Sequence, residues 1–242
     1  MSTRHDFQDA LKPLDASGIR DFLTAHSGLP GPRANVELIA AFGDVAPPGV
    51  ILDLVSSDDE YLAACAAAAL GRLVADADDE RRADLLQVLH AEARDARWRV
   101  REGVAMALQR LGDSDGAVMR GVVASWAADP DPLVQRAAVA GICEPRLLKD
   151  DKTALVALDA CRSATDSLAR RPMSDRRNTD VRALRQGLGY CWSVAIAGDP
   201  EHGLPAFAQL ETSSDSDVRW IVRENRKKAR LTRLLPKPAE PL

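Results

Sequence analysis

The sequence predicts an all-α protein, a right-handed alpha-alpha superhelical solenoid of about six antiparallel helix pairs. Three observations lead there. The 242 residues are 46% apolar but only 4% aromatic. A core of Ala, Leu and Val suits helices packed through small side chains better than it suits a β-sandwich. One motif also recurs five times: an Asp or Asn turn, then an aliphatic anchor, then small or apolar residues at helical spacing. The anchors are Leu62, Val100, Val134, Val181 and Val218, at steps of 38, 34, 47 and 37 residues. Such a period is one helix pair per unit.

The elements follow in order. The opening MSTRHDFQDALKPLD is acidic and short of apolar runs, so it does not read as a signal peptide. Residues 16–44 form a weak first unit. Within it GLPGPR is a turn by composition, and ANVELIAAF is the second helix, anchored at Ala34 or Val36. The first helices of the next five units are expected at about 48–56, 80–94, 116–128, 151–170 and 203–212. Their second helices start at the recurring motif.

Asp95, Asp129 and Asp215 are placed to cap the N–H groups of the helices that follow. Pro130 and Pro132 sit in or near a first turn, where proline is tolerated. In VREGVAMAL, the residues Val100, Gly103, Val104, Ala107 and Leu108 share one face, and Gly and Ala there let a neighbouring helix come close. Arg101, Arg182 and Arg219 each follow an anchor and are expected to pair with a turn Asp of a neighbouring unit.

Two features break the pattern. The 47-residue step holds ARRPMSDRRNTD (169–180), a loop whose Arg170, Arg171, Arg176 and Arg177 are a second candidate for partner binding, suited to clamping a phosphate backbone, with a solvated insertion as the alternative. The sixth unit has Asn225 and Arg226 where others have Ala or Leu, as a polar outer face would. The domain reading is a single solenoid over 1–235. PKPAEPL (236–242), with three prolines in seven residues, reads as a flexible tail.

The chain resembles the HEAT-repeat family, including the HEAT-like repeats named after phycobilisome lyases. The matching residues are Asp-x-Asp-Pro-x-Val at 129–134, Asp-x-x-x-x-Val-Arg at 95–101, Asp-x-Asp-Val-Arg at 215–219 and Ala-Leu-Gly-Arg-Leu at 69–73. The resemblance covers roughly 45–235. It implies an armadillo-like helical scaffold and does not fix an activity, because one scaffold serves many functions.

Charge is uneven. Residues 1–120 carry 13 basic and 20 acidic residues, net −7, and residues 121–242 carry 19 and 16, net +3; together they give −4. A polyanion should therefore prefer the second half. Arg219, Arg223, Arg226, Arg230 and Arg233 fall at offsets 0, 4, 7, 11 and 14. On one helix they form a basic edge, with Lys227 and Lys228 beside it, suited to two-point contacts with carboxylate or phosphate. The alternative for this edge is a solvated capping face.

Trp98 and Trp220 sit near second-helix starts beside arginine. With Arg101 and Arg182 they are candidate contacts on a concave face. Trp126 and Trp192 read as core. Cys65, Cys143, Cys161 and Cys191 form no CxxC and read as reduced core residues. His5, His26, His90 and His202 have no metal spacing. No nucleophile elbow, phosphate loop or zinc-protease motif occurs, and no 18-residue apolar run exists.

The resulting expectation is a cytoplasmic, non-catalytic scaffold with no cofactor, no metal and no small-molecule site. A protein partner, with an acidic segment at the C-terminal arginines, would occupy the concave face or the basic edge. The alternative is nucleic-acid binding of the HEAT-like alkylpurine glycosylase kind, although no glycosylase Trp/Asp constellation matches residue by residue. A weaker alternative is an accessory lyase or chaperone for a prosthetic group, suggested by the tetrapyrrole-lyase members of the family. Such a lyase would need a closed pocket.

Overall fold

A computed structural model describes residues 3–31 and 33–235. Its regular elements are all helical. They are α1 (Arg4–Leu11), α2 (Ala16–Ala25), α3 (Val36–Val45), α4 (Pro48–Val55), α5 (Glu60–Asp76), α6 (Asp79–Glu92) and α7 (Trp98–Ser114). There follow α8 (Gly116–Ala127), α9 (Pro132–Ile142), α10 (Asp151–Arg170), α11 (Thr179–Gly198), α12 (Pro200–Glu211), α13 (Ser216–Arg226) and α14 (Ala229–Thr232). Short 3-10 turns lie at Leu147–Lys149 and Asp175–Arg177. The chain divides into two compact units, Met1–Gly116 and Ala117–Leu242. The tail 236–242, expected to be flexible, lies outside the described residues, as does Pro32 of the first turn.

Six helix pairs run in the predicted order, from α2/α3 to α12/α13. The last predicted first helix starts earlier than expected, because Asp199 caps it by accepting from His202 N at 3.1 Å, with Pro200 in the first turn. The short helices α1 and α14 were not anticipated.

The recurring motif has a single local cause. In each second helix the anchor is the third helical residue after the N-cap. Asp59, Asp131 and Asp215 are N-caps whose carboxylates accept first-turn backbone N–H groups. The side chain two residues earlier holds the cap itself: Ser57 accepts from Asp59 N, Asp129 from Asp131 N, and Ser213 from Asp215 N. Asp95 likewise accepts from Arg97 N at 2.6 Å. Asp95 and Asp129 therefore secure the N-cap residue rather than cap the helix, a correction of two residues; Asp215 caps as expected.

The same rule relocates the first unit's anchor. Asn35 is the N-cap, so the anchor is Leu38, fully buried, while Val36 is 57% exposed. The turn before it needs Gly28 at φ 77, where a side chain would meet Arg33 O.

In unit 1, α5 is buried over nearly its whole length, from Tyr61 to Val74. α7 lies along it through small residues, as VREGVAMAL predicts. A Cβ on Gly103 would sit 2.6 Å from Ala64 O, and one on Gly71 would collide with the Ala107 backbone. The far side of the unit is tied by Asp44, which accepts from Arg4 Nε (2.6 Å), Gln8 Nε2 (2.5 Å) and Arg110 Nη1 (2.6 Å). Burial disfavours the Asp44 charge, but the bonds from Arg4, Arg110 and Gln8 outweigh it and lower its pKa to about 2.

In unit 2 the core gathers Trp192, whose Nε1 donates to Thr165 Oγ1 at 3.0 Å, beside Phe207. Trp126 is buried too. Asn225 overturns its reading as part of a polar outer face: it is fully buried. Its amide donates to Leu188 O (2.9 Å) and accepts from Ser193 N (2.8 Å), so it pins α13 onto the backbone of α11. Facing a helix backbone, an amide satisfies both a donor and an acceptor, which Ala or Leu cannot do.

Candidate functional site

The basic edge does not form as one helical face. α13 ends at Arg226, and Lys228 is extended before α14 begins. The five arginines separate accordingly. Arg219, Arg223 and Arg226 stay together on α13, beside Leu210, Glu211 and Val222, around a cleft of about 250 Å³. Arg223 is exposed, and Arg226 bonds Glu211 through Nε at 2.7 Å. Arg230 turns the other way. Its Nη2 donates to Tyr190 Oη at 2.8 Å, its Cζ lies 4.8 Å from that ring's centroid, and Lys228 Nζ is 5.4 Å from the same ring. Arg233 lines an adjoining cleft, bordered also by Glu211 and Arg226, with Leu204, Phe207 and Leu234.

The loop arginines also divide. Arg176 is a structural tie. Its side chain is only 8% exposed, and Nη1 reaches Asp215 (2.6 Å) and Asp217 (3.3 Å). Nε and Nη2 donate to the carbonyls of Arg171 and Ala169. Burial opposes the charge on Asp215, yet Arg176 and the first-turn N–H groups bring its pKa below the usual range. Arg171 donates to Pro130 O at 2.5 Å, while Arg170 and Arg177 are exposed. Arg176, Arg223 and Arg230 therefore share no common surface.

Of the arginines that follow an anchor, Arg101 bonds the carbonyls of Asp95 and Ala96 in its own turn, and Arg182 and Arg219 are exposed. The links between neighbouring repeats fall to other arginines. Arg97 donates to Ser57 O at 2.7 Å, Arg99 pairs with Glu60 at 2.7 Å, and Arg185 pairs with Asp217 at 2.7 Å.

The tryptophans differ in availability. Trp220 is half-buried against Gly189, with Arg185 Cζ 4.7 Å from its centroid. Trp98 is 54% exposed. It faces a groove of about 330 Å³ on the second helices of unit 1, between Val36 and Ile39 of α3 and Glu102 and Met106 of α7. Arg33 and Arg99 stand at its rim. Trp98, Glu102 and Met106, at i, i+4 and i+8, share a helix face. The sequence singles out Trp98 but offers Val36, with Ala34, as an anchor, whereas Val36 is a surface residue of this groove.

The four cysteines are buried and free. Folding brings Cys143 Sγ within 3.8 Å of Cys161 Sγ, a neighbourhood invisible in their spacing. The contact with Cys161, together with burial, pushes the Cys143 thiol well above its ordinary pKa, which favours the protonated form. Among the described residues no group of three or more His, Cys, Asp or Glu is placed to hold a metal. No helix among them is long and apolar enough to cross a membrane.

These features define an all-α helical-repeat protein whose open grooves and charged edges lie on its surface. No family model matches the chain. No curated protein matches it either. Among solved structures, it is similar to an engineered protein of a structural genomics consortium at 18% identity, covering 97% of this chain and 98% of that one, with a TM-score of 0.38. A designed armadillo repeat protein in complex with the peptide (KR)4 matches at 14% identity, 93% and 98% coverage and a TM-score of 0.38. A second designed armadillo repeat protein matches at 15% identity, 93% and 98% coverage and a TM-score of 0.39.

Proposed function

We propose that the chain is a non-catalytic scaffold of the HEAT-like kind that binds a protein partner on the exposed face of its second helices. The supporting observation is the Trp98 groove. An exposed Trp facing an exposed Val, 54% and 57% accessible, is costly to leave in water and is the composition of a binding hot spot. The groove is open and shallow, which suits a side chain presented by a macromolecule better than an enclosed substrate. The acidic-segment reading of the partner rests on Arg219 and Arg223, which remain exposed. A nucleic-acid interface would draw on Arg176, Arg230 and Trp220, and these are engaged with Asp215, Tyr190 and Arg185.

The test is a photo-crosslinking amino acid at position 98, with exposed Glu80 of α6 as the control position. Position 98 should capture one protein from native extract well above the control. Trp98→Ala should then weaken that partner about tenfold or more, as loss of a hot-spot aromatic does, with thermal stability unchanged. Equal labelling at 98 and 80 would sink the reading.

A further inference from the structure

We propose that the α12–α13 face is a docking groove for an acidic amphipathic helix of a partner protein, an inference that rests on the scaffold reading above. Two adjoining clefts, about 250 and 1090 Å³, share Glu211 and Arg226 and run along the outer side of this pair. Their floor is apolar: Leu204 and Phe207 of α12, Leu210 and Val222 across the smaller cleft, and Leu234 beyond α14. Their rim is basic. Arg219, Arg223, Arg226 and Arg233 line the clefts with one carboxylate, Glu211, which Arg226 already neutralises at 2.7 Å; Glu224, outside the clefts, lies 3.8 Å from Arg223 Nε.

Asn225 lies on the buried stripe of α13 with Val218 and Ile221, bonded to the backbone of α11, and does not line either cleft. The charge complement of such a groove is an occupant with apolar side chains on one side and carboxylates flanking them. Arg219, Arg223 and Arg226 lie at offsets 0, 4 and 7 on α13. Carboxylates at the same helical spacing on a partner can meet all three guanidinium groups together, and a helix lays its apolar stripe into a groove in this way. Residues 236–242 follow directly in sequence but carry one Lys and one Glu, which gives no complement to four arginines.

The experiment is fluorescence anisotropy on the full chain with three labelled probes: a 15-residue Glu/Leu amphipathic helical peptide, its Lys/Leu counterpart, and a 15-nucleotide single strand of DNA. The Glu/Leu peptide should bind with a micromolar Kd, and the Lys/Leu peptide at least tenfold more weakly. The double variant Arg219→Glu, Arg223→Glu should lose tenfold or more of the Glu/Leu affinity while its circular dichroism and Tm stay unchanged. The proposal fails if the Lys/Leu peptide binds equally, if the double variant binds as well as the parent, or if no probe binds. In the last case a position-98 crosslink would still stand, which separates this failure from failure of the scaffold. DNA binding as tight as the peptide, with the same dependence on the two arginines, overturns the proposal in favour of a general polyanion site and leaves the Trp98 groove to its own crosslinking test. A tenfold gain in peptide affinity on truncation after Leu235 overturns it in favour of 236–242 as the native occupant.

Discussion

At the scale of single residues, identical side chains do opposite work, and burial decides which. Arg176 and Arg223 both come from basic runs in the sequence. Arg176 is 8% exposed and spends its donors on Asp215, Asp217 and two carbonyls; Arg223 is 63% exposed. Arg176→Ala should therefore cost about 3 kcal/mol, because it takes from Asp215 its closest cation and leaves the largely buried Asp217 with Arg185 alone. Arg223→Ala should stay within about 0.5 kcal/mol. Urea denaturation of the two variants side by side checks this, and equal losses would contradict it. Asp44 gives a pH prediction. Its folded pKa of about 2 lies below the unfolded value of about 3.9. A depressed carboxylate pKa adds stability that is complete above the unfolded value and is lost as pH falls through the folded one. Wild-type unfolding free energy should thus fall between about pH 4 and 2, and Asp44→Asn should flatten that limb while lowering stability at pH 7 by about 1–3 kcal/mol, the worth of charge-assisted hydrogen bonds.

At the scale of elements, the repeat was legible because its cause is local. An Asp or Asn turn, an anchor three residues after the N-cap and a small-residue face all lie within a dozen residues, so five anchors and five first helices could be read directly. Leu38 was missed because its repeat is capped by Asn35 with no acid beside it, and Ala34 or Val36 stood where an anchor was expected. Asn225 was misread for the opposite reason: its partners, Leu188 and Ser193, lie on another helix, and only packing reveals that an amide belongs inside. The basic edge failed at Lys227 and Lys228, where charge periodicity continues although the backbone leaves the helix. Small-residue packing carries its own prediction. Gly71 faces the Ala107 backbone with no room for a methyl group. Gly71→Ala gains helix propensity, up to about 1 kcal/mol, but must push α7 off α5, and overpacking of a filled interface costs about 1–3 kcal/mol. The net effect should be a loss, seen as a lower urea midpoint with an unchanged slope. A stabilised variant would mean that α7 yields more easily than the contact implies.

At the scale of the whole molecule, charge separates the two readings that fold alone leaves open. The chain is net −4, with −7 over residues 1–120 and +3 over 121–242, so any polyanion affinity must come from a few local arginines. A dedicated nucleic-acid surface engages many phosphates, and its affinity falls with salt at a log–log slope of about −0.7 per phosphate neutralised on a single strand. Here the fold has withdrawn Arg176 into a buried cluster and turned Arg230 onto Tyr190. On the α13 face it leaves Arg219 and Arg223 exposed, with Arg226 shared with Glu211. Two or three contacts predict a slope no steeper than about −2 for single-stranded DNA. Between ~50 and ~200 mM salt that is a loss of no more than roughly 15- to 20-fold, far short of the collapse expected of six or more contacts. An acidic helix that also buries leucines should lose less over the same range, since its apolar share of the affinity is insensitive to salt. Titrating both probes across that salt range decides the matter. Parallel steep slopes would mark a polyanion binder, and a shallower slope for the peptide is the signature of a protein-docking groove.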